Sequence, residues 1–167
     1  MKIDSCIKDK NCICKKYNSY RNECIDKLTI GEKGKSVSLS IKNDAEALVA
    51  IIDKCIITDN KPKCDAIFLY RSNNKKISFL VELKGFGEIK KAFYQLSFTK
   101  EREVYKKIIG CFENIDNKKV VQKFIIITNG ILNKIQQERY EEIYKIRIKA
   151  ILTSEATKPI PNLKDLI

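Results

Sequence analysis

Apolar residues fall into short blocks divided by polar turns, and the densest block is Lys63 to Gly85, KCDAIFLYRSNNKKISFLVELKG. Two apolar runs, Cys64 to Tyr70 and Ile77 to Leu83, flank a polar turn centred on Asn73 and Asn74, the pattern of a β-hairpin. Asn suits such a centre because its short polar side chain tolerates positive φ. Pairing about that centre predicts that positions summing to 147 face each other, Tyr70 opposite Ile77 and Asp65 opposite Glu82. Ile67, Leu69 and Leu80 then share one face and Phe68, Phe79, Val81 and Leu83 the other, as in central strands covered on both sides.

Around the hairpin, Val37, Leu39 and Ile41 alternate with serines and predict a short, half-exposed strand. Asn43 stands where it would cap a helix over about 44–55, with Leu48, Ile51, Ile52 and Cys55 at helical spacing. A long helix is predicted from about Glu88 to Ile109, and a buried strand within 118–129. A helix over about 133–144 and a strand over 146–152 complete the core, and Pro159 and Pro161 lead into a short tail. This order predicts an α/β fold, a mixed β-sheet flanked by helices in a single domain.

Lys84 lies two residues past Glu82, so one sheet face carries Asp65, Glu82 and Lys84 together. Two carboxylates and an ammonium at the rim of a buried sheet are unfavourable unless they pair or bind a metal. The set suits metal-assisted phosphodiester hydrolysis. Asp65 and Glu82 would hold Mg²⁺ or Mn²⁺, and the Leu83 backbone carbonyl would add a third oxygen. The metal would polarise a phosphate and acidify a bound water, while Lys84 orients that water or offsets developing charge.

Asp65, a strand, a turn, and a second strand ending Val81-Glu82-Leu83-Lys84 together resemble the signature of the PD-(D/E)XK nucleases, with Cys64 where the motif name has Pro. Glu46-Ala47-Leu48-Val49-Ala50, and Phe124 to Gly130 followed by a helix, are similar to the Mrr-type branch, and archaeal or viral nucleases of the superfamily are the alternative. The resemblance spans roughly 43–145. It implies a restriction-endonuclease-like fold, metal-dependent DNA cleavage, and a core order of helix, three strands, helix and strand, whose third strand would come from Ser36 to Ile41 or from the stretch around Ile56 and Ile57. It adds Glu46 as a metal-site acid from the first helix, with Asp44 as the substitute, and Gln95 as an active-site residue of the long helix. Thr99 stands where some relatives have Tyr. Local structure offers other roles: Glu46 sits where a capping-box Glu would, three residues after Asn43, and Gln95 is also an ordinary surface residue of a helix.

Lys plus Arg number 33 and Asp plus Glu 21, a net charge of +12, which favours a polyanionic partner. DNA, held through its backbone and therefore in a salt-dependent way, is the expected one. The lysines of the long helix are a candidate phosphate track. No apolar run approaches the roughly 18 residues of a membrane span, and the N-terminus lacks a signal-peptide core. A cytoplasmic protein with no membrane partner is expected, and a homodimer stays open. A catalytically inactive nucleic-acid-binding module with the same fold is the rival to an enzyme.

Residues 1–35 form a polar, Cys-containing N-terminal segment ahead of a nuclease-like domain over 36–167. Cys6, Cys12, Cys14 and Cys24 do not match paired C-x₂-C spacing, and the chain has no His. Three readings follow: a second metal site holding Zn or an iron-sulfur cluster, disulfides, or free thiols. Cytosolic disulfides are rare outside hyperthermophiles. Cys55, Cys64 and Cys111 fall in apolar stretches and read as buried hydrophobes.

Overall fold

Eight strands and three α-helices form among the described residues, 2–16 and 21–167, of the computed structural model. In chain order these are β1 (Cys24–Asp26), β2 (Thr29–Glu32), β3 (Lys35–Ser38), β4 (Glu46–Ile51), β5 (Ala66–Arg71), β6 (Lys76–Lys84), α1 (Ile89–Glu101), α2 (Glu103–Asn114), β7 (Val121–Thr128), α3 (Lys134–Tyr144) and β8 (Ile148–Thr153). The main sheet has the order β4-β5-β6-β7-β8. Its first three strands are an antiparallel meander, and β7 and β8 add in parallel to β6. A second, antiparallel sheet has the order β1-β2-β3.

The hairpin register is the one the Asn turn implies, with Tyr70 opposite Ile77 and Ala66 opposite Val81. Both faces of the main sheet are buried. Ile67, Leu69 and Leu80 join a core with α1 and α2, whereas Phe68, Phe79, Val81 and Leu83 join one with Ile30, Val37 and Leu163. Helices therefore cover one face only, and the small sheet with the C-terminal segment covers the other. The tail packs through Leu163, which is fully buried.

The predicted helix over 44–55 is instead strand β4, and this strand completes the meander in place of Ser36 to Ile41 or Ile56 and Ile57. Leu48, Ala50 and Ile52 face the helices, and Ala47, Val49 and Ile51 face the small sheet. An unbroken apolar run has no polar positions to reveal its period, so helix and buried strand read alike in sequence. Pairing with β5 over six residues decides it. Ser36 lies in β3, within the second sheet.

The predicted long helix is two, broken at Arg102, whose extended backbone (φ −67°, ψ 136°) ends α1 and caps α2. Asn133 caps α3 by accepting from Gln136 N at 2.8 Å. No helix among the described residues is long and apolar enough to cross a membrane.

Six of the seven cysteines pair as disulfides, Cys6–Cys111, Cys12–Cys55 and Cys14–Cys24, and Cys64 stays free and buried. This corrects the expectation of a metal site at Cys6, Cys12, Cys14 and Cys24. Two of the four bond to Cys55 and Cys111, and disulfide sulfurs are not the thiolates that Zn or an iron-sulfur cluster requires. The N-terminal segment also covers the exposed edge of β4, where Cys14 N donates to Val49 O at 2.9 Å and Ile13 bridges Ala50. A division at residue 35 falls in the β2–β3 hairpin, so the segment is built into the same body as the rest.

Candidate active site

Asp65, just ahead of β5, donates its N–H to Val81 O at 3.2 Å although Val81 is the partner of Ala66, so the regular ladder ends there with Asp65 close enough for its charge to act on Glu82 of the neighbouring strand. The side chains of Glu82 and Lys84 lie on the helix-covered face, as their alternation with Leu80 requires. The sequence thus brings all three to one end of the main sheet. Lys84 Nζ is 2.8 Å from Glu82 Oε1 in an ion-pair contact that falls outside hydrogen-bond geometry, and Glu82 Oε2 has no partner. Asp65 Oδ2 accepts from Leu83 N at 2.6 Å. A strand residue directs its N–H and C=O to the same side, so the Leu83 carbonyl also faces Asp65, beyond the end of β5.

Glu82 is fully buried. Burial, and then the charge of Asp65, push its carboxyl well above the usual carboxylate range, against the pull of Lys84. Burial likewise pushes Asp65 up to about 7, opposed by the Leu83 amide and assisted by Glu32. Lys84 is desolvated, yet Glu82, Asp65 and Glu88 together hold its ammonium above the ordinary lysine value. At neutral pH Asp65 keeps a share of its proton. The donor set fits a hard divalent cation, with two carboxylates, an unpartnered Glu82 oxygen and an inward-facing carbonyl. Among the described residues, no group of three or more His, Cys, Asp or Glu side chains is arranged to hold a metal.

Glu46 does not belong to this site. It pairs with Arg71, at the opposite end of β5 from Asp65, six strand positions or roughly 20 Å away. There it binds Arg71 at 2.5 Å and accepts from Ile3 N at 3.2 Å, so it anchors the N-terminus. Asp44 lies at the same far end, beside Tyr70 and Lys75 on a cavity of about 520 Å³. Both expectations rested on a first helix that is a strand here.

Gln95 on α1 donates to Lys63 O at 2.7 Å, and its Oε1 is buried without a partner. Thr99, one turn on, accepts from Cys64 N at 2.8 Å. The two hold residues 63 and 64, the approach to Asp65, against α1, which makes Gln95 a positioning group. Sequence reading missed Thr99 in this role and Lys63, which pairs with Asp53 at 3.5 Å. Three basic residues of the expected phosphate track carry partners: Lys106 with Glu101, Lys107 with Glu103, and Arg102 with Asp59. Lys90 and Lys91, at the start of α1, are exposed.

No protein-family model matches this chain, and neither curated proteins nor solved structures provide a match. What is established is a mixed α/β chain of two sheets and three helices, with a buried acid pair and a lysine at the end of its main sheet.

Proposed function

We propose that this protein is a metal-dependent nuclease that hydrolyses phosphodiester bonds in DNA, of restriction-endonuclease-like fold. One observation carries the reading: Asp65, Glu82 and Lys84 converge at the end of β5 and β6, and Glu82 is buried there with an unpartnered oxygen. An acid in that setting is unfavourable for stability and is retained for chemistry. The order of a three-strand meander, helices, a parallel strand, a helix and a further parallel strand supports the resemblance, except that three strands and two 3₁₀ turns precede the meander where it implies a helix.

Asp65, Glu82 and the Leu83 carbonyl would hold Mg²⁺ or Mn²⁺. Bound there, the ion would polarise the phosphate and supply a water of lowered pKa. Lys84 keeps its proton, offsets the acid pair and presents an N–H donor to the attacking water or the developing phosphorane charge. Gln95 and Thr99 keep the strand ahead of Asp65 from shifting. The three disulfides suit an oxidising compartment or an intracellular hyperthermophilic setting.

The rival reading, an inactive nucleic-acid-binding module, draws on the distance of Glu46 from the acid pair. A cleavage panel of single-stranded, duplex and branched DNA with Mg²⁺ or Mn²⁺ separates the two. We expect cutting by the native protein and none by Lys84→Ala. Salt-sensitive binding by both forms with cleavage by neither would establish the binding module instead.

Proton competition gives a second test. A folded pKa near 7 against an ordinary 3.8 means Asp65 holds a proton in the native state over that window, which it lacks when unfolded. Through this group the metal-free protein loses stability as pH rises from about 4 to about 7. A cation must displace that proton, so Mg²⁺ should raise the melting temperature more at about pH 8 than at about pH 5.5. An equal rise at both values would mean the ion binds elsewhere.

A further inference from the structure

Two loops leave the main sheet at the end that carries Asp65 and Glu82, 85–88 after β6 and 129–133 after β7. Lys84 is in register with Thr128 on the parallel neighbour, so both loops rise from one rim. This is the carboxyl end of the parallel strands, where open α/β sheets take their ligands. Large apolar side chains stand in solvent there: Phe86 is 79% exposed and Ile131 91%. A single exposed hydrophobe is ordinary. These two come from separate loops, two residues beyond Lys84 and three beyond Thr128, and line one cavity.

That cavity has a volume of about 180 Å³ and is also lined by Leu132, Lys90, Gln136 and Tyr140. It lies below the roughly 300–1,000 Å³ of sites for drug-sized ligands and suits one planar ring. Its wall is aromatic and aliphatic, and Gln136 and Tyr140 add hydrogen-bonding groups. Lys90 is exposed at its edge and Lys91, also exposed, is the next residue of α1, in a chain of net charge +12.

We propose that this cavity receives an unpaired nucleobase stacked on Phe86, so that the protein engages single-stranded or branched DNA in preference to continuous duplex. The proposal rests on the nucleic-acid reading above and adds the substrate class. Bases inside a duplex present no free face to a side chain, whereas an unpaired base does. Stacking on an aromatic ring tolerates any base and is worth roughly 5- to 150-fold in affinity. Lys90 and Lys91 contact the adjoining phosphates.

The test is equilibrium binding of the full chain to a single-stranded oligonucleotide, a four-way junction and a blunt duplex, by fluorescence anisotropy with Ca²⁺ in place of Mg²⁺ to hold the DNA intact. Phe86→Ala and Ile131→Ser are compared with the native protein, and their melting temperatures serve as the folding check. We expect Phe86→Ala to weaken single-strand and junction binding roughly tenfold and to lower the single-strand to duplex affinity ratio by at least about fivefold. A 2-aminopurine placed in the strand should change its fluorescence on binding the native protein and not on binding Phe86→Ala. An unchanged ratio overturns the proposal. So does a Phe86→Ala protein that turns from dimer to monomer in light scattering with its affinity loss tracking that change, since the occupant would then be a second copy. Selective binding that never proceeds to cleavage with Mg²⁺ keeps this inference and removes the nuclease reading. Cleavage with an unchanged ratio in Phe86→Ala does the reverse.

Discussion

Glu82→Gln should lower the proposed DNA cleavage by at least about a hundredfold and raise the melting temperature of the metal-free protein at about pH 8. Glu82 is fully buried, and burial and Asp65 both resist its ionisation. In the unfolded chain the same group ionises freely in water. The fold must therefore bury a charge or take up a proton, and Gln at the same position does neither. The loss of charge opposite Lys84 is limited, because Asp65 and Glu88 also stabilise that ammonium and the Gln oxygen can accept from it. A net gain at this pH follows from the linkage, read as a melting temperature higher by roughly a few degrees. Calorimetry reads the melting temperature and a plasmid or oligonucleotide assay the cleavage. Glu46→Gln is the control, since its site lies at the other sheet end. It should cut like the native protein. A Glu82→Gln protein that melts lower and still cuts would remove Glu82 from the chemistry.

The hairpin and its charged end were legible because local signals agreed: two apolar runs, an Asn-Asn turn between them, and side-chain alternation fixed by the pleat. With the turn centre known, counting brought Asp65 to the strand end that carries Glu82, although the ladder itself stops at Ala66 opposite Val81 and Asp65 N also turns to Val81 O. The later strands were legible too, since Phe124 to Ile127 and the Asn133 cap have few other uses. Residues 44–55 were not. Asn43 imitated a helix cap, and the apolar run behind it has no periodicity because both its faces are buried. Glu46 followed that error, since its proposed role required a helix. The disulfides were hidden for another reason: Cys6 and Cys12 meet partners 105 and 43 residues away, and spacing in the sequence does not encode such pairs. The apolar rim at Phe86 and Ile131 depends on β6 and β7 lying side by side, which only the assembled sheet reveals.

Loss of the disulfides should destabilise the protein in order of the chain length each one closes: Cys6–Cys111 most, Cys12–Cys55 next, Cys14–Cys24 least. Their separations are 105, 43 and 10 residues. Constraint of the unfolded chain alone is worth about 4.7 kcal/mol for the longest and about 3 kcal/mol or less for the shortest. A whole domain has only about 5–15 kcal/mol. The loops overlap, so the three contributions do not add. Native contacts support the same order. Cys6–Cys111 ties the N-terminal segment to α2 beside the buried Ile3 and Ile7, whereas Cys14–Cys24 closes a short loop. Replacing Cys6 and Cys111 by Ala should lower the melting temperature by roughly 5–15 °C. Replacing Cys14 and Cys24 should lower it by clearly less, and saturating reductant should exceed either. Release of the segment also uncovers the edge of β4, so the reduced protein should aggregate on heating where the oxidised one refolds. Mass spectrometry of an unreduced digest checks the pairs directly. A digest with free thiols at Cys12 and Cys55, or a reversed order of melting losses, would mean that packing rather than covalent closure holds the N-terminal segment on the sheet edge.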